Sequence, residues 1–232
     1  MSDTAAVQIK GLKFAWTEGP ALLDIPAFEL AAGERLFLRG PSGSGKSTLL
    51  GLIAGVLAPQ AGGVDVLGHD MASLSGARRD RLRADRLGVI FQMFNLVPYL
   101  SVVQNVTLPC RFSQTRRQAI SGDPVEEARR LLARLGLNEE KMLQRPVTEL
   151  SVGQQQRVAV ARALIGGPSL VIADEPTSAL DADTRDRFIE LLNEEAARYG
   201  AALLFVSHDA TLAGHFDRSV DLGEINRAGA IA

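Results

Sequence analysis

A nine-residue run, Gly40-Pro41-Ser42-Gly43-Ser44-Gly45-Lys46-Ser47-Thr48, constrains this chain more than any other feature. It fits G-x-x-x-x-G-K-[ST], and its flanks supply the context that the pattern requires. Ahead of it, Arg35-Leu36-Phe37-Leu38-Arg39 has the apolar density of a strand. Behind it, Lys46 to Gly55 reads as a helix with a mostly buried face. Glycines let the backbone fold round a phosphate with several N–H groups turned inward, and the positive end of the new helix faces the anion. Lys46 adds a point charge at the β- and γ-phosphates, and the Ser47 hydroxyl is placed to ligate Mg²⁺. The run therefore predicts a nucleoside triphosphate site between a strand and a helix.

At 232 residues the chain is long enough for one α/β domain with a well-buried core, and short for two. Its apolar fraction of 46% and charged fraction of 22% are ordinary for a globular protein. Twenty-five basic residues against twenty-seven acidic give a net charge of −2, which argues against a nucleic-acid partner, where a basic surface is needed. The single cysteine, Cys110, excludes an intrachain disulfide, fits a reducing compartment and reads as an apolar filler more than a reactive thiol. Met1 to Val7 lacks the basic start and apolar run of a signal peptide, and runs such as Ala201 to Val206 fall far short of the ~20 residues of a membrane span. Work at a membrane is expected only through a partner.

Val7 to Gly33 has short β-like runs broken by Gly19, Pro20 and Pro26, which predicts a small antiparallel sheet ahead of the phosphate loop. Gly62 to Gly68 reads as a further strand. Arg78 to Arg86 holds five arginines in nine residues without interleaved aromatics, the pattern of a solvated helix face more than of a nucleic-acid contact. Leu87 to Gln92 reads as a buried strand. Pro124 to Leu137 is predicted helical, with Val125, Ala128, Leu131, Leu132 and Leu135 on one face and Gly136 as its stop. Gln154 to Ile165 forms another helix, and Leu170 to Ala173 and Ala202 to Val206 read as fully buried parallel strands.

The first of these two strands ends in Asp174-Glu175. Ligands bind at the carboxyl edge of open parallel sheets, so the pair would face the phosphates. Asp174 would hold Mg²⁺, directly or through water, and Glu175 would polarise the attacking water as general base. Two further stretches complete a set: Leu150-Ser151-Val152-Gly153-Gln154-Gln155-Gln156-Arg157 before a helix, and Ala173-Asp174-Glu175-Pro176-Thr177-Ser178-Ala179-Leu180-Asp181 after the strand.

With the phosphate loop, these stretches resemble the ATP-binding subunits of ABC transporters over nearly the whole chain. The resemblance implies a mixed-sheet α/β P-loop NTPase (RecA-like) core with an antiparallel β subdomain and an inserted α-helical subdomain. Residues 1–232 would form a single ATPase domain, with the nucleotide-binding core at 1–92 and 166–232 and the helical subdomain at 93–165. Gly40 to Thr48 would bind ATP, with Ser47, Gln92 and Asp174 at the Mg²⁺. Gln92 falls where the family has its metal-sensing and coupling glutamine, and Trp16 where it stacks an aromatic on adenine. Ser151, Gly153 and Gln154 match the signature that grips a γ-phosphate held by the other subunit. Ser178, Ala179, Leu180 and Asp181 match the loop that crosses the dimer interface, and His208 the switch histidine. On residues alone, a satisfied histidine at a strand end is the better reading of His208, and a core or surface tryptophan is the alternative for Trp16. Val152 stands where the family has glycine; a β-branched residue tolerates positive φ poorly, so an ordinary backbone with a serviceable amide is expected there.

Leu87 to Pro109, and the arginine-rich Leu74 to Arg86 before it, look like the ATPases of the lipoprotein-release and macrolide-efflux group. That resemblance implies an ATP-dependent homodimer on a separate integral-membrane permease, at the cytoplasmic face of the cell membrane. It also implies permease contact near Gln92 to Leu100, where Phe94, Leu96, Val97, Pro98 and Tyr99 form an apolar patch. Polar amino-acid importer ATPases share Gln154-Gln155-Gln156-Arg157 and Pro176 to Asp181, and a cell-division signalling ATPase that transports nothing is a third alternative. The long coiled-coil insertions or tandem cassettes of soluble relatives that act on DNA or ribosomes are lacking.

Overall fold

The computed structural model describes residues 5–16, 19–177, 180 and 182–229. The chain opens with β1 (Val7–Phe14), β2 (Leu23–Leu30) and β3 (Arg35–Arg39), and α1 (Lys46–Ile53) follows the phosphate loop. Then come β4 (Ala61–Val66), β5 (His69–Asp70), α2 (Gly76–Arg86) and β6 (Leu87–Ile90). The helices α3 (Val102–Phe112), α4 (Gln114–Ala119), α5 (Pro124–Arg134), α6 (Glu140–Leu143) and α7 (Val152–Leu164) form one block. The remainder is β7 (Leu170–Asp174), α8 (Ala182–Arg198), β8 (Ala202–Ser207), β9 (Arg218–Asp221) and α9 (Leu222–Ile225).

Pairing segregates into two sheets. One is antiparallel in the order β2-β1-β4-β5, and the other is parallel in the order β6-β7-β8-β3-β9. Successive strand residues point to opposite faces, and the parallel sheet uses both. Phe37, Val171, Ala173, Leu203 and Phe205 pack with residues of α3, α5, α7 and α8. Leu36, Leu38, Leu170, Ile172, Leu204 and Val206 pack with α1 and the antiparallel sheet. None of these eleven is more than 1% exposed, which is why the strands read as continuous apolar runs.

Local chemistry moves three boundaries away from the apolar pattern. The strand expected to reach Gln92 stops at Ile90, the last residue paired with β7. There the chain turns as Phe94 N–H donates to Phe91 O at 2.9 Å, leaving Phe91 and Gln92 exposed. α7 starts at Val152, two residues early, because Ser151 and Gln154 close a capping box. α5 ends at Arg134, short of Leu137, with Gly136 in a left-handed turn at φ 72°. The apolar patch is also uneven: Tyr99 is exposed, whereas Phe94, Leu96 and Val97 are half-buried. Cys110 is half-buried, and burial pushes its thiol pKa up, as an inert filler requires.

A buried arginine locks α7 to the parallel sheet. Arg116 on α4 is 2% exposed and donates to Ala84 O at 2.9 Å, Ala163 O at 3.0 Å and Ile165 O at 2.9 Å, and also to Leu87 O. It thereby ties the C-terminal ends of α2 and α7 together, and burial pulls its pKa down to about 10. The helix lies so close to β6 that a Cβ on Gly88 would sit 2.4 Å from Ala163 O. Arg116→Met would keep the volume but leave those carbonyls without a donor. A loss of about 3 kcal/mol is expected, since each buried polar group left unsatisfied costs ~1–3 kcal/mol and relief of the buried charge returns part of it. Urea denaturation checks this, and an unchanged midpoint would remove Arg116 from that role.

Candidate active site

The carboxyl ends of β3, β6, β7 and β8 share one edge of the parallel sheet, with Arg39 in register with Ser207 and Asp174 with Val206. Segments leaving that edge line a cleft of about 460 Å³. Ser42, Gly43, Gly45, Lys46, Ser47 and Thr48 come from the loop after β3, and Gln92 follows β6. Asp174 and Glu175 come from the end of β7, and His208 follows β8. Leu22, which belongs to no motif, completes the lining. Pro41 and Ser44 line a neighbouring cavity, and Gly40 is buried beneath the loop.

Backbone geometry makes the loop. Gly45 caps α1 at φ 97°, and a Cβ there would lie 2.7 Å from Leu23 Cδ2, so the position requires glycine twice over. Lys46 folds back, and its Nζ donates to Gly40 O at 2.7 Å and Pro41 O at 2.9 Å. Ser44 Oγ is buried with no hydrogen-bond partner. An ammonium held only by carbonyls, an orphaned hydroxyl and a glycine-only helix start together fit a bound phosphate.

The acidic side is equally organised. Ser47 Oγ donates to Asp174 Oδ2 at 2.9 Å. Burial raises the Asp174 pKa above the usual carboxylate range, the Ser47 hydrogen bond opposes it, and the adjoining Glu175 charge adds to it. Ser47, Gln92 and Asp174 offer hydroxyl, amide and carboxylate oxygens, donors that suit a hard divalent cation. No group of three His, Cys, Asp or Glu that could hold a metal occurs among the described residues, so phosphate oxygens and water would have to finish such a shell. Glu175 has a left-handed backbone, φ 47°, and its Oε2 lies 2.6 Å from His208 Nδ1. An ionised carboxylate only accepts, so the ring donates through Nδ1–H.

Trp16 stands apart. It is 63% exposed, meets Phe14 edge-on at 5.4 Å, and lines an apolar groove beside the cleft that shares Ser47, Thr48 and Asp174 with it. Gln60 fixes its approach through two 2.8 Å hydrogen bonds to the backbone of Ala15. Ser151, Gly153 and Gln154 do not line this cleft; Ser151 is exposed at the start of α7. Val152 is the first residue of that helix and is not among the positive-φ residues, so the valine imposes no strain. Leu180 lies against the same turn, its Cδ2 3.6 Å from where a Cβ on Gly153 would be. Ser178, Ala179 and Asp181 lie outside the described residues.

Sequence reasoning missed Gln60 and the pair Arg185–Asp209. Arg185, near the start of α8, pairs with the carboxylate next to His208. Asp209 also accepts from Thr211 N–H and its hydroxyl, which hold its carboxyl below the usual range. Neither belongs to a contiguous motif, so only the fold reveals them.

Residues 23–178 match the family model described as ABC transporter. The chain belongs to the ABC transporter family. It is 37% identical over 227 residues, 96% of this chain and 88% of the relative, to an uncharacterized ABC transporter ATP-binding protein of Mycobacterium tuberculosis. It is 40% identical over 222 residues, 94% of this chain and 91% of the relative, to the lipoprotein-releasing system ATP-binding protein LolD of Anaeromyxobacter dehalogenans. Its fold matches the dimeric, post-hydrolysis structure of the ATP-binding cassette MJ0796 bound to ADP and Pi, with a TM-score of 0.82, 34% identity and 93% of each chain covered. Membership makes this ABC cassette an ATP-binding, ATP-hydrolysing subunit of a transporter. Among the described residues no helix is long and apolar enough to cross a membrane.

Two outcomes follow from the geometry. Val152→Gly should change steady-state hydrolysis by less than about tenfold, roughly 1.4 kcal/mol of barrier, because the valine backbone is already helical; a larger gain would show that valine impairs the site. A carboxyl whose folded pKa lies above its unfolded value of about 4 costs the fold stability as pH rises through the raised value. Asp174→Asn should therefore raise the thermal midpoint of the nucleotide-free cassette at neutral pH and not at a pH of about 4. A lower midpoint at neutral pH would contradict this.

Proposed function

We propose that this ABC cassette powers an export-type transporter of the lipoprotein-release kind, as a pair of identical chains docked on a separately encoded permease at the cytoplasmic face of the membrane. One observation carries the paired arrangement: Ser151 and Val152, at the start of α7, are exposed, Gly153 and Gln154 are half-buried, and all four lie outside the cleft that gathers the phosphate loop, Asp174, Glu175 and His208. The capping box uses the N–H groups of Ser151 and Gln154, which leaves those of Val152 and Gly153 at the positive end of the helix to meet an anion. A second copy, turned head to tail, would bring its Ser151, Gly153 and Gln154 to the γ-phosphate in this chain's cleft. The resemblance of Leu87 to Pro109 to lipoprotein-release ATPases, and the identity with LolD, support the transporter type.

In this reading residues 1–92 and 166–232 bind the nucleotide, and the helical part, 93–165, presents Ser151 to the other copy within a single domain, 1–232. Trp16 stacks on adenine, and the loop amides of Gly40 to Thr48 cradle the phosphates. Lys46 exchanges its carbonyl partners for β- and γ-phosphate oxygens, so its charge moves without being stranded. Ser47 and Gln92, with Asp174 directly or through water, would hold Mg²⁺, which supplies neutralisation of phosphate charge. Glu175 takes a proton from the attacking water, which adds to the γ-phosphorus as the bond to the β–γ bridging oxygen breaks, giving ADP and phosphate. The Glu175–His208 hydrogen bond engages one carboxylate oxygen, Oε2, leaves the other to take the proton, and parts when the ring turns to the phosphate. His208, once released, donates to the γ-phosphate. Ser178, Ala179, Leu180 and Asp181 would cross between the copies.

Removing the base while keeping the phosphate contacts separates the two halves of this account. Glu175→Gln should lower turnover by at least about a hundredfold and yield a dimer on adding ATP, seen by sedimentation. Near wild-type hydrolysis would take Glu175 out of its role, and a monomer in saturating ATP would remove the paired arrangement. Copurification from detergent-solubilised membranes tests the transporter type. A permease with few spans and a large outer domain is expected, and an importer permease with its binding protein would overturn it.

A further inference from the structure

The turn that follows Gln92 has an unfavourable backbone. Phe94 and Asn95 both occupy the left-handed region, at φ 59° and 49°, and strain of this kind persists only where surroundings enforce it. The turn closes on itself through Phe94 N–H to Phe91 O at 2.9 Å and Asn95 N–H to Met93 O at 2.6 Å. Those bonds leave the carbonyls of Phe94 and Asn95 to be filled from elsewhere. Arg162, on the last turn of α7, fills both: it donates to Phe94 O at 2.6 Å and to Asn95 O at 2.7 Å. Among the described residues its charge meets no carboxylate, and burial lowers its pKa from the ordinary arginine value. Hydrogen bonds from an ionised donor are roughly twice as strong as neutral ones, so this fork suits holding a strained turn.

The next part of the segment is held separately. Asn105 is fully buried and binds Val97 N at 2.8 Å, Val97 O at 3.0 Å and Leu100 O at 3.2 Å. Residues 91–96 therefore run between the end of β6 and a fixed Val97, and Arg162 is the side chain that sets their shape. The same helix is capped at Ser151, about 16 Å away at the α-helical rise per residue. Its far end is locked to α2 and α4 by Arg116.

We infer that Arg162 is a positioning residue that joins Gln92 to the signature end of α7 by clamping the strained turn at Phe94–Asn95. The inference rests on the roles given above to Gln92 and Ser151. A shift of Gln92 toward a bound γ-phosphate pulls on the turn, and the arginine fork passes that pull to the helix that presents Ser151 to the other copy. Arg162 does not line the cleft, so its loss should separate nucleotide capture from pairing.

The full-length chain carrying Glu175→Gln supplies the background, with sedimentation reading the ATP concentration needed for half-dimerisation and a fluorescent ATP analogue reading capture by the monomer. Adding Arg162→Gln should raise the ATP needed by about tenfold or more and leave capture within about twofold, a shift within the usual span of coupling between sites. Arg162→Lys should fall between, because a single ammonium replaces a two-pronged fork. Asn95→Gly added to Arg162→Gln relieves the left-handed strain and should restore the thermal midpoint without restoring dimerisation. Recovery of both would mean that Arg162 serves stability alone and would overturn the inference, as would unchanged dimerisation in Arg162→Gln. Failure of the Glu175→Gln background itself to dimerise would instead overturn the paired arrangement beneath it.

Discussion

Parallel register across β7, β8 and β3 is the constraint from which the site follows. Pairing Asp174 with Val206, and Arg39 with Ser207, forces the segments beyond those strands to leave from one edge. The phosphate loop, the acidic pair and His208 are far apart in sequence and become neighbours through backbone hydrogen bonding alone. The strands can hold that register because both faces are buried: aromatic contacts among Phe37, Phe205 and Phe216, with centroids 4.9–6.2 Å apart, close the helical side. A slip of one residue would exchange the two faces and disperse the cleft.

Every charged or nucleophile-facing side chain in the cleft that shows a partner has one it can surrender. Lys46 rests on loop carbonyls, Ser47 on Asp174, and Glu175 on His208. In the proposed function, binding of a triphosphate would exchange contacts instead of creating them from solvent, which limits both the desolvation cost and the reorganisation needed for chemistry. The half-buried Asp174 carboxylate is the exception, since burial disfavours its charge and a cation beside it would compensate that charge.

Most of the site was legible because its chemistry needs contiguous patterns. Gly40 to Thr48, Asp174-Glu175 and the stretch from Ser151 each combine a turn, a helix or strand end and a functional group within a few residues. The strands β3, β7 and β8 were legible as buried apolar runs. What escaped was chemistry spread over distant positions. Arg116, Arg162 and Asn105 bind backbone carbonyls, and a carbonyl has no sequence signature. Nothing in Phe94-Asn95 announces two left-handed residues, since the arginine that makes them tolerable lies 67–68 positions away. The strand through Gln92 was drawn too long for the same reason: apolar Phe91 continues the pattern, but β7 offers no further partner.

In the proposed pairing, a single chain of this ABC cassette would hold one half of an anion site in its cleft and offer the other half at Ser151. That division implies that activity belongs to pairs. Complementation measures it most directly: full-length chains carrying Lys46→Ala, with a damaged phosphate loop, are mixed with chains carrying Ser151→Arg, whose loop is intact. Each preparation alone should be inactive. The mixture should hydrolyse ATP, because one composite site then unites an intact loop from one chain with an intact signature from the other. A mixture no more active than its separate components would contradict the account.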